Sequence, residues 1–222
     1  MQELMKRIQS EEDLEALSKY VTQAFSKITG ISLKYNVMFS EQYVKQNKLP
    51  EEKVHKEASK LGKTEQGVYV FLLDRYHCLK VGKAGCNSEQ RWSSQHYTLN
   101  RTASSLPLSI LNNPEHLKAY FKARNKCKDI KEFLGRLKAI HQKIEERIAE
   151  EKDTKADNKR NYLQFDPERR VRQWIVSHFS RLEFILSGDV PDYTINLLES
   201  FLQWILNPCY EGRKSGLETN LY

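Results

Sequence analysis

The sequence contains no apolar run approaching the length of a membrane span, so a bilayer is not among the partners it predicts. Its first residues, MQELMKRIQSEEDLEAL, lack the apolar core and small-residue cleavage site of a signal peptide. Cys78, Cys86, Cys127 and Cys209 form no CxxC pair, which argues against both a zinc knuckle and a disulfide scaffold. The expectation is a soluble protein of the reducing cytoplasm. Most of the chain also lacks an excess of either charge. Lys118 to Arg172 carries 17 Lys or Arg against 10 Asp or Glu, and outside it 19 of each sign cancel. The net charge of +7 is therefore regional. Regional basicity favours a polyanion, because phosphates neutralised by Lys or Arg release condensed counterions.

What is present suits one domain with sizeable additions: 222 residues, 39% hydrophobic, enough to bury a core. Leu14, Leu17, Val21, Phe25 and Ile28 recur at spacings of three and four and predict an amphipathic helix over 11–28, with Ser10 as its N-cap. SLKYNVMF reads as a strand or as part of a helical stretch, and FSEQYVKQNKLP as a short helix stopped by Pro50. EEKVHKEASKLG has acidic residues in its first turn and Gly62 as a stop, which predicts another helix. Residues 1–65 are thus read as a helical appendage.

The densest stretch follows at 66–97. GVYVFLLD and CLKVG, separated by the polar turn DRYH, predict an antiparallel hairpin, and NSEQRWSSQHY a helix capped by Asn87 or Ser88. Beyond it, TLNRTASSLPLSILNNPEHL offers Arg101, Ser104 and Ser105 as donors to a phosphate backbone. KAYFKARNKCK mixes Lys118, Lys122 and Lys126 with aromatics, as a nucleic-acid groove does. An apolar stripe from Ile130 to Ile148 predicts one long helix over 128–152, and 116–165 reads as a helical insertion. DPERRVRQWIVSHF predicts a helix, RLEFILSG a third strand, and 191–206 a final helix that includes Glu199. Residues 213–222 carry no apolar pattern and form a tail.

Gly-Val-Tyr on one strand, Lys-Val-Gly-Lys on the next, an arginine and histidine on the following helix, and a late Glu199 two turns before Asn207-Pro208 resemble the GIY-YIG nuclease superfamily. The resemblance implies an α+β fold in which helices flank a small three-stranded antiparallel sheet, over residues 66–212. It also implies endonuclease activity on DNA with Mg²⁺ or Mn²⁺. Tyr69 matches the tyrosine of the first motif, Lys83 the lysine after the second, Arg91 the helix arginine and Glu199 the metal-binding glutamate. His96 matches less closely, since the family histidine commonly lies where this chain has Gln95. Lys80 stands where many members have a second tyrosine, and Glu211 where many have an asparagine.

Phosphodiester hydrolysis needs these residue types for independent reasons. A water must lose a proton, and negative charge must be stabilised on the phosphate and the leaving oxygen. Glu199 is a hard oxygen ligand of the kind Mg²⁺ takes, and Arg91 offers a planar fork of donors to a phosphate. Two assignments supply the base: Tyr69 with its pKa lowered by Lys80 and Lys83, or a lysine made neutral by burial and its neighbours. The expected roles include restriction, phage defence and repair, with the helical regions contacting DNA, a second copy or a partner protein. The competing expectation is a non-catalytic nucleic-acid-binding or adaptor protein of the same fold.

Overall fold

The computed structural model describes residues 11–55, 58–73, 77–93, 97, 105–123, 126–150, 166–188 and 190–210. Every residue of QGVYVFLL is buried, which is what a strand covered on both faces requires. This strand, β2 (Gln66–Leu73), pairs antiparallel with β3 (His77–Ala84) on one side and β4 (Phe179–Leu186) on the other. β1 (Leu33–Met38) pairs antiparallel with β4, so the order is β1-β4-β2-β3. Among the described residues the sheet thus has four strands where the sequence predicted three. The extra one comes from 1–65, the segment read as a helical appendage. Leu33, Tyr35 and Val37 alternate with Lys34 and Asn36, and that period of two lets one side of SLKYNVM join an apolar sheet face.

The chain divides into two compact units, residues 1–93 with 179–222, and residues 94–178. In the first, one sheet face is apolar. Val68, Val70 and Leu72 of β2, Val81 of β3, and Leu182, Phe184 and Leu186 of β4 pack with two helices. These are α1 (Glu11–Thr29), through Leu14, Leu17, Val21 and Phe25, and the last helix, Asp192–Leu206, through Ile195, Leu198, Leu202 and Ile205. Ile28, predicted on the α1 stripe, is instead exposed. Ser40 caps α2 (Glu41–Asn47) by accepting from the Tyr43 amide at 3.2 Å. Among the described residues of EEKVHKEASKLG, the expected helix is reduced to one 3₁₀ turn, Glu51–Lys53. Phe39 donates to Lys53 O and accepts from His55 N, which holds Val54 extended; these tertiary bonds override a weak local preference.

The opposite sheet face carries two rows set by register. Asn36, Glu183, Tyr69 and Gly82 form one, and Met38, Arg181, Phe71 and Lys80 the next. Both are roofed in part by α3 (Glu89–Ser93), whose Trp92 is fully buried. The glycines of the two motifs have a steric reason: a Cβ on Gly67 would overlap the Trp92 ring, and one on Gly82 the Tyr69 hydroxyl.

The second unit is helical. α4 (Leu106–Asn112), α5 (Glu115–Ala123), α6 (Cys127–Glu150) and α7 (Asp166–His178) bury Ile110, Leu117, Phe121, Phe133, Leu137 and Ile175. Trp174 stacks between Phe133 at 3.7 Å and His178 at 4.2 Å. The long helix and the one starting at Asp166 match the expectation, and the last helix, α8 (Asp192–Leu206), follows β4. Among the described residues there are eight α-helices, and none is long and apolar enough to cross a membrane.

The Gly82 contact makes the fold testable. Gly82→Ala is expected to push the Tyr69 ring from its seat and destabilise the protein by about 1–3 kcal/mol. Urea unfolding reads this directly, and an unchanged midpoint would mean that the ring has room to move.

Candidate active site

β3 is an edge strand, and Lys80 and Lys83 are three residues apart on it. An odd spacing puts them on opposite faces. Lys80 shares the face of Tyr69, while Lys83 points with Val81 toward α8. Its ammonium lies 2.9 Å from Glu199 Oε2 and also donates to Asn196 Oδ1, one turn earlier on that helix. Lys83 is therefore a partner of Glu199 rather than a cation beside the Tyr69 hydroxyl, as the sequence suggested.

Arg91 is exposed at its helix position but donates a hydrogen bond to the Tyr69 hydroxyl. Burial pushes the Tyr69 phenol well above its usual range, and Glu199 adds to the rise. The Arg91 and Arg181 guanidinium groups and the Arg91 hydrogen bond oppose it without cancelling it. Lys80, 1% exposed, moves the other way: burial, with the Arg91 charge beside it, brings its ammonium down to about 8. Burial therefore separates the two bases left open by the sequence, disfavouring the phenolate and favouring the neutral amine.

Beneath these groups lies an ion pair that the sequence reading missed. Arg181 and Glu183 of β4 are both fully buried, with Nε and Oε1 2.8 Å apart. The Arg181 guanidinium sits 5.2 Å from the Tyr69 ring centroid, 5.4 Å from that of Phe71 and 4.9 Å from that of Trp92, all within cation–π range. It also donates to Trp92 O at 3.0 Å. Glu183 accepts from Asn36 Nδ2 at 3.2 Å and from Ser59 N at 3.1 Å. The signal was available in RLEF, where two charges at i and i+2 interrupt an otherwise apolar strand.

The other predicted contacts divide three ways. His96, Arg101, Ser104 and Glu211 lie outside the described residues. Ser105 is corrected: it is fully buried, and its hydroxyl accepts from Leu108 N at 3.3 Å as the N-cap of α4, so it faces no phosphate. Lys122 and Lys126 are exposed in the second unit, and Lys118 pairs with Glu115 at 2.7 Å on the same helix.

Among the described residues no group of three or more His, Cys, Asp or Glu is gathered as a metal cage. Glu199 and Asn196 supply one carboxylate and one amide oxygen, a donor set that fits Mg²⁺ by type, since that ion keeps most of its waters. Lys83 engages both oxygens, so a cation at this position has to compete with an ammonium.

The Lys80 environment gives a pH test. An unfolded lysine keeps its proton to about 10.5, whereas the folded one releases it near 8, so the folding penalty is full below pH 8 and fades as pH rises toward 10.5. Lys80→Met is expected to be more stable than the parent at pH 7, by up to about 3 kcal/mol. Denaturant unfolding at pH 7 and pH 10 should show that gap closing, and a gap independent of pH would contradict the assignment.

Comparison with protein-family models, with curated proteins and with solved structures finds no match in any of the three.

Proposed function

We propose that the chain is a divalent-metal-dependent endonuclease that hydrolyses phosphodiester bonds in DNA. The reading rests on the resemblance to the GIY-YIG nucleases together with one observation. Tyr69 is bonded by Arg91 and feels the charge of Glu199, which comes from a helix more than a hundred residues later. A base, a guanidinium and a carboxylate drawn from distant parts of the chain to one sheet edge suit phosphoryl chemistry.

In this reading a scissile phosphate approaches from the exposed side of Arg91, whose planar fork holds two of its oxygens. Lys80, half neutral near pH 8, takes the proton of the attacking water. The water oxygen bonds to phosphorus, the ester P–O bond breaks, and the leaving oxygen takes a proton from solvent. Tyr69, kept neutral by burial, orients rather than ionises. Glu199 and Asn196 would hold the ion, which when bound stabilises negative charge on the phosphate and the leaving group. Lys122 and Lys126 are available for sequence-independent phosphate contacts.

A second reading is favoured by Lys83. An ammonium seated on Glu199 neutralises the one carboxylate the metal needs, as a nucleic-acid-binding or adaptor protein without catalysis would permit. Incubation of supercoiled plasmid with and without Mg²⁺ decides between the two. Metal-dependent nicking that falls at least about 100-fold in Glu199→Ala and in Arg91→Ala is expected of the enzyme. Binding without metal, and no cleavage of any DNA form, would establish the adaptor.

A further inference from the structure

The groups around Arg181 form a closed circuit. Arg181 Nη2 donates to Trp92 O at 3.0 Å, and Trp92 Nε1 donates to Ser59 O at 2.6 Å. Ser59 N donates to Glu183 Oε1 at 3.1 Å, and Glu183 returns to Arg181 through the 2.8 Å ion pair. Three pieces of chain are thereby tied together: β4, the segment at 58–60, and α3. The described part of that last helix, Glu89–Ser93, carries Arg91 next to Trp92. Trp92 reaches further, since its ring stands edge-on to Tyr69 at 6.0 Å and fills the space left by Gly67.

From this we infer that Arg181 is a positioning residue, which through Trp92 fixes the α3 turn so that Arg91 is held against Tyr69 and Lys80. A buried pair serving stability alone has no need of such a circuit, because apolar side chains of similar volume often replace buried ion pairs without loss. Here the hydrogen bonds of the ring locate a backbone carbonyl, a backbone amide and an indole. The guanidinium also sits under Tyr69, directly across Phe71 from Lys80 in the strand register.

The inference relies on the nuclease reading only for what Arg91 does to a substrate, so its test needs none. Among the described residues, the charged and titratable groups near Lys80 are Tyr69 from β2, Arg91 from α3, and Arg181 and Glu183 from β4. The titration of Lys80 is followed by ¹³C NMR of lysines labelled at Cε, assigned with Lys80→Arg, in the whole chain without DNA. Two variants are compared with the parent. Arg181→Met with Glu183→Leu replaces the pair by apolar side chains, and Trp92→Phe keeps both charges while removing the indole donor to Ser59.

If Arg91 is held in place by the circuit, both variants release it and the Lys80 midpoint rises toward the ordinary lysine value, by one pH unit or more in the double variant. Should the double variant not fold, Trp92→Phe decides, with a rise of at least a few tenths of a unit expected. A Lys80 midpoint equal to the parent's in folded Trp92→Phe protein overturns the inference. A rise in a protein that cleaves no DNA would uphold the positioning role and remove the nuclease reading alone.

Discussion

A charge pair sealed from water has to be completed on every side, and the Arg181–Glu183 pair imposes that demand on its surroundings. Removing one partner of such a pair commonly costs about 3–5 kcal/mol, because the other charge is left buried and alone. Completion comes from unrelated parts of the chain: a strand asparagine, a loop amide, a helix-end carbonyl and three aromatic rings. The charges therefore act less as a source of stability than as a constraint on where those parts sit. The two sheet faces divide the work accordingly. One packs aliphatic side chains against α1 and α8, and the other gives up apolar packing for a polar arrangement that locates Tyr69, Lys80 and α3.

The same constraint sorts the candidate chemistry. Because Tyr69 and Lys80 are buried on that face, they are pushed in opposite directions from their ordinary pKa values, and each toward its neutral form. The exposed Arg91 and the half-buried Lys83–Glu199 pair are left to meet anything that arrives from solution. Buried neutral groups beside exposed charged ones make an asymmetric site, in which binding and proton transfer fall to different residues.

Much of this was legible in the sequence. The hairpin at 66–84, the strand at 179–186 and the long helix from Cys127 follow from local pattern, because hydrophobic period and β-branched content agree there. Glu199 was placed on the final helix, and it lies on α8, half-buried. The first strand was ambiguous because its partner, β4, lies about 150 residues away and supplies the edge that decides its conformation. The helix expected after Pro50 failed for a like reason, since backbone bonds to Phe39 outweigh propensity. Lys83 was read with Lys80 as a cation lowering the Tyr69 pKa although the odd spacing between the two separates their faces, and Ser105 was read as a phosphate donor although it precedes a helix. The largest omission, Arg181 with Glu183, was a pattern seen as a strand and not as two charges needing partners.

If the circuit through Arg181, Glu183, Ser59 and Trp92 is one cooperative element and not a set of surface contacts, hydrogen exchange at the Trp92 indole reads it, with Trp204, whose ring is exposed, as the internal control. The Trp92 indole proton is then expected to exchange only with global unfolding, at the same free energy as the backbone amides of β4, while that of Trp204 exchanges freely. Exchange of the Trp92 indole at a rate close to that of Trp204 would show that α3 opens locally and that the circuit is not cooperative.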